Sequence, residues 1–304
     1  MQGLWGKGRA IAGIVALMLV VAVPAGAQDI APSHVLAEVR ALQAELASIG
    51  APVPEGGADL RIEGAQPREV WFQALVVWRL INDLSLREAG RSGSPPALVV
   101  ASSIRPADVR DVVLAARAAL VPVLGAKGGA ASSAPPKVPA ATQPTDVLNA
   151  LLDTAAALEH LGAQDLGSLT QESLTRSVLH AAHLLRPLGV DERIPDDVAS
   201  PAPDGASLQA GLLDLLAQLR VLAGQAGQRM LTVTVPDAPA SPGRLAFQLA
   251  TLVEAELAFL AAAEEAGQRV PTWRVRGADV AANSARLGAL RAQVDRLVGS
   301  GGER

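Results

Sequence analysis

Cysteine and tyrosine are both absent from the 304 residues, and phenylalanine (3), tryptophan (4) and histidine (4) are scarce. Without cysteine there can be no disulfide framework, thiolate metal site, c-type haem attachment or lipoprotein anchor. The scarcity of aromatics and histidine leaves few of the side chains that commonly build polar-tipped sites. Lysine is nearly missing too: beyond Lys7 only Lys127 and Lys137 occur. No basic block stands out, so nucleic acid and anionic membrane surfaces are poor partners. The chain has no Gly-x-Ser-x-Gly elbow, no Gly-x-x-x-x-Gly-Lys phosphate loop and no Gly-x-Gly-x-x-Gly after a strand. No cofactor is expected.

A membrane-length apolar run is missing as well. Lys7 and Arg9 precede an uncharged stretch, Ile11 to Val23, broken by Pro24 and followed by Ala25-Gly26-Ala27. The stretch falls short of the ~20 residues that span a bilayer. Charged start, short apolar run and small-x-small ending are the pattern of a secretory leader, residues 1–27, cut after Ala27. The expected location is the periplasm or the exterior, with no transmembrane segment after cleavage. Loss of Lys7 and Arg9 lowers the 26 basic residues to 24 against 30 acidic ones.

What is abundant is alanine and leucine: half the residues are apolar, and these two favour close-packed helices. Arg105-Pro106-Ala107-Asp108-Val109 shows how such helices begin. Proline at a first helical position loses no hydrogen bond, and the following aspartate lies where the helix dipole favours negative charge. Val109 then starts an apolar ladder through Val113, Ala116, Leu120 and Val123, at offsets 0, 4, 7, 11 and 14. Pro122 is expected to kink or end this helix.

Ladders of the same kind start at Val35, Val70, Val109, Val147, Leu174, Leu208, Leu245 and Val280. The fold expected is all-α, with about eight amphipathic, heptad-patterned helices in antiparallel bundles or helical repeats. The first three helices echo the last three. Phe72-Gln73 answers Phe247-Gln248, and Arg105-Pro106-Ala107-Asp108-Val109 answers Arg276-Gly277-Ala278-Asp279-Val280. Short extended segments, Leu60 to Ile62 and Leu231 to Val235, precede the second and seventh helices. This internal duplication divides the chain into a three-helix module (28–125), a helical hairpin (144–189), a second three-helix module (206–299) and a tail (300–304). Two linkers separate them. Residues 126–143 are rich in Gly, Ala, Ser and Pro and read as flexible. Residues 190–205 are acidic and Pro-rich, without the spacing of a calcium loop.

Three groups of residues depart from the common pattern. Trp71, Leu75 and Trp78 form a second stripe on the second helix, suited to packing or to a protein partner or second copy of the chain. His180 and His183 are one turn apart, and His160 ends the preceding helix, so the three could share a metal. Glu256 and Arg291 both break their ladders at offset 11, which suggests an ion pair. The function expected is a non-enzymatic envelope protein acting as an interaction or scaffold module. The alternatives are a binding protein for a small or apolar ligand and a metal-binding protein through the three histidines.

Overall fold

In the computed structural model, residues 30–53, 60–97, 99, 104–132, 134–161, 166–185, 205–235, 241–264 and 283–301 are described. The expected leader, nearly all of the acidic stretch at 190–205, the helix stops at Gly162 and Gly189 and the echo at 276–280 lie outside these residues.

The eight ladders are helices α1 (Pro32–Ser48), α2 (Pro67–Ala89), α3 (Pro106–Lys127), α4 (Pro144–His160), α5 (Leu166–Leu185), α6 (Gly205–Gln225), α7 (Pro242–Glu264) and α8 (Asn283–Gly301). Two short strands, β1 (Arg61–Glu63) and β2 (Thr232–Thr234), accompany them. Nearly every described rung of the ladders is buried, among them Val39, Ile81, Leu120, Leu151, Val178, Leu219, Leu249 and Leu290. The apolar spacing therefore marks the faces that meet.

The helices of α1–α4 run parallel, which corrects the antiparallel arrangement expected from the sequence. The first-turn residues Pro32, Val35, Pro67, Val70, Pro106, Val109, Pro144 and Val147 all surround one small gap, so four helix starts meet at one end. Side-chain contacts keep that register further along. Arg117 of α3 bonds Glu45 of α1, Gln43 of α1 donates to Thr154 of α4, and Lys127 at the end of α3 pairs with Glu88 at the end of α2. The order around the square is α1, α3, α2, α4. The physical reason is the connections, which occupy 49–66, 90–105 and 128–143. A 16-residue extended segment reaches roughly 50 Å, whereas α3 is about 33 Å long. Each connection is thus long enough to return along the whole helix before the next one starts.

Helices α5–α8 form a second square of the same kind, ordered α5, α7, α6, α8. Its helix starts also meet: a Cβ at Gly243 of α7 would touch Leu166 of α5, Gln209 of α6 donates to the Pro242 carbonyl of α7, and a Cβ at Gly211 of α6 would meet Leu287 of α8. The division is therefore four helices and four, not the three-two-three expected. Helix α4 packs with α1 and α2, while α5 packs with α7 and α8. Only 161–165 lie between α4 and α5, and so short a turn reverses the chain. The second bundle accordingly runs opposite to the first: Glu159 at the end of α4 pairs with Arg244 at the start of α7.

The segments before α2 and α7 pair with each other. β1 and β2 form an antiparallel ribbon, with Ile62 opposite Val233, bridging the two bundles. Residues 128–143 are largely exposed, yet they are tied down rather than free. Gly128 ends α3 with φ 69°, and a side chain at Gly129 would collide with Ile49. The Ser132 amide then donates to Glu45, and Ala130 donates to Ser48. Helix α3 also passes through Pro122 and continues to Lys127. The buried Val123 and Leu124 beyond it offset the hydrogen bond that proline cannot make.

Candidate binding cleft between the two bundles

Helix α2 packs in the first bundle and also lies against α7 of the second. Its ladder, Val70 to Leu84, faces its own bundle, and its second stripe faces α5 and α7. A cavity of about 550 Å³ opens at that junction. Trp71, Leu75, Trp78 and Arg79 of α2 form one wall, and Leu169, Glu172 and Arg176 of α5 and Phe247 and Thr251 of α7 form the others. Pro95 and Pro96, on the connection leaving α2, stand at the rim.

The tryptophan stripe expected to meet a partner meets the second half of the same chain instead. Trp71 is 1 % exposed and Leu75 is buried, while Trp78 is half-buried. Among the described residues, neither indole N–H has an acceptor. A buried donor without a partner is costly, so this wall is short of acceptors.

Beneath the aromatics lies a charge cluster. Arg176 donates from Nε to Glu254 Oε1 at 2.6 Å and pairs with Glu172 at 3.4 Å. Its guanidinium also donates to Ser173. Burial lowers the Arg176 pKa, but the charges of Glu254 and Glu172 outweigh that and hold it above the ordinary value. Burial raises the Glu172 carboxyl. Arg79 reaches the same Glu254 oxygen only at 3.8 Å, too far for a hydrogen bond. Its Cζ lies 5.9 Å from the centre of the Phe72 ring, and burial lowers its pKa. Arg79 was invisible as a candidate in the sequence, because one arginine at a helical position carries no motif.

The histidines are not brought together as a metal centre. His160 is exposed at the end of α4, while His180 is buried in α5, where burial lowers its pKa to about 4. Among the described residues, no group of three or more His, Asp or Glu side chains is placed to hold a metal ion.

Glu256 and Arg291 do not pair. Glu256 lies between the bundles, 3.5 Å from Arg68 and close to Glu69, whereas Arg291 binds Asp214 at 2.8 Å on the surface. The shared ladder offset misled because α6 stands between α7 and α8 in the square, so that the two departures face different neighbours. Glu69 already accepts from the Gln66 amide and from Arg68. Burial, followed by the nearby charge of Glu69, pushes the Glu256 carboxyl well above its usual range.

Fold and cleft together define a class: an all-α protein of two parallel four-helix bundles with an aromatic and cationic cleft at their junction. No family model, curated protein or solved structure matches this chain.

Proposed function

We propose that this protein is a binding module holding a small amphipathic molecule in the cleft between its bundles. The observation that carries the reading is the junction cavity itself, about 550 Å³ and walled by Trp71, Leu75, Trp78 and Phe247. Ligand sites commonly occupy 300–1,000 Å³, are mainly apolar and contain a few placed polar groups. The leader-like pattern at residues 1–27 supports binding outside the cytoplasm. Binding to a protein is the second reading, favoured by Leu86, which is 55 % exposed at the cleft rim.

The test is titration of the full chain with the neutral dye Nile red, whose emission rises in an apolar site. Saturable enhancement is expected for the native protein, and Leu169→Trp, which fills the cavity from α5, should reduce it about tenfold or more. No saturable signal, or equal binding by the filled variant, overturns the reading.

A further inference from the structure

Among the described residues, Arg79 is the one cleft-lining cation with donors to spare. Arg176 is engaged by Glu254, Glu172 and Ser173. Among the described residues Arg79 makes no hydrogen bond: its buried Nη1 faces Glu254 at 3.8 Å, beyond hydrogen-bond distance. Its side chain remains 28 % exposed, in the wall of the cavity. The two guanidiniums share a single carboxylate oxygen, Glu254 Oε1, which stands 2.6 Å from Arg176 but 3.8 Å from Arg79. Glu172 is drawn to Arg176, so Arg79 is left without a carboxylate at hydrogen-bond distance. Asp83 is exposed at the mouth, where water and salt screen it.

We propose that the cleft binds an apolar monocarboxylate, its carboxylate on Arg79 and its body between the Trp71–Trp78 wall and Phe247. This rests on the cleft-binding reading and adds the ligand's head group to it. A guanidinium presents two parallel N–H donors that match both oxygens of a carboxylate. The pairing fills donors that nothing else satisfies, and the aromatic wall takes up the apolar remainder.

Three ligands of one shape separate the possibilities: indole-3-acetate, indole-3-acetamide and tryptamine, titrated calorimetrically into the full chain. Indole-3-acetate should bind about tenfold or more tightly than the amide, and tryptamine should bind weakest. Arg79→Gln should remove that preference, bringing the acid-to-amide affinity ratio to about one, and Arg79→Lys should recover part of it. Circular dichroism of both variants reports whether the helices are intact. The proposal is overturned if the amide or the amine equals the acid, or if Arg79→Gln keeps the acid preference. Failure of all three ligands while Nile red still binds overturns the carboxylate assignment and leaves the cleft reading standing. Failure of the dye as well removes the cleft reading itself.

Discussion

The two bundles share one topology but differ in how fully their buried acids are paired within their own square. In the first bundle the buried charges are settled internally. Glu38 and Glu45 of α1 are buried against Arg117 of α3, which also holds the return segment through the Ser132 carbonyl. Hydrogen bonding to Glu45, ahead of the effects of burial and the Glu45 charge, sets the Arg117 guanidinium above its ordinary range. In the second bundle, α7 carries two buried acids, Glu254 and Glu256. Glu254 is held within its own square by Arg176 and also approaches Arg79 of α2, whereas Glu256 meets its arginine, Arg68, across the junction. The ion pair within α6 and α8, Asp214 with Arg291, is solvent-exposed. The dependence runs across the junction in both directions: Glu256 finds its arginine, Arg68, on α2, and Arg79 of α2 finds its nearest carboxylate, Glu254, on α7. The candidate site lies along that dependence.

The strongest test of this asymmetry removes one arginine from each bundle. Arg117→Ala leaves two buried glutamates without their main partner. Stranding buried carboxylates in this way costs about 3 kcal/mol, which lowers Tm by roughly 6–12 °C. Arg291→Ala removes a pair whose partners are 44 % and 60 % exposed and should cost about 0.5 kcal/mol or less. Thermal melts followed by circular dichroism compare the two. Equal losses would erase the distinction between an internally paired bundle and one whose buried acids are not all paired within its own square.

A smaller effect of opposite sign is expected at Glu256. Its carboxyl is held well above the ordinary 4.5 in the fold, so the native state favours its protonated form. The unfolded chain releases that proton first as pH rises. Stability is therefore full below about 4.5 and falls as pH climbs towards the folded value, then levels off. Glu256→Gln keeps the shape and removes the ionisation. It should leave stability unchanged near pH 4 and raise it by about 1 kcal/mol at pH 8, or roughly 2–4 °C. Melts across pH 4–9 check this, and a variant that parallels the native curve throughout would contradict it. Arg68 keeps a partner in Glu69, so the substitution strands no charge.

The sequence showed the helices clearly because the ladder encodes burial: the rungs from Val109 to Val123 are buried as their spacing predicts. Helix direction was legible too, but it had to be read from the connections. Successive ladder starts from Val35 to Val147 lie at least 35 residues apart, whereas Val147 and Leu174 are 27 apart. One helix needs only part of the longer interval, and the remainder is the return path. The shorter interval marks the one reversal, between the bundles. The cleft was half legible. Trp71, Leu75 and Trp78 stood out by bulk, but Arg79, Arg176 and Glu254 come from three helices separated by long stretches of chain. No local spacing connects them. The Glu256–Arg291 expectation failed for the same reason, since equal ladder positions predict contact only between helices that neighbour each other in the square.

The smallest difference between the bundles lies at their helix starts. In α1–α4 a proline opens the helix, and a side chain three positions past the cap turns back to the cap amide: His34, Glu69, Asp108 and Asp146. None of α5–α8 has an acidic residue in its first turn, and α7 instead places Ser241 beneath the Arg244 amide. Asp108 serves both the Arg105 amide, at 2.8 Å, and the positive end of the α3 dipole. Asp108→Ala should therefore cost about 1 kcal/mol, lowering Tm by roughly 2–4 °C. Asp108→Asn, which keeps an acceptor oxygen without the charge, separates the two contributions. Recovery of most of the loss by asparagine assigns it to the hydrogen bond, and no recovery assigns it to the charge. If alanine costs nothing, the shared starts do not stabilise the gathered end of the first bundle, and their register rests on the valine layer alone.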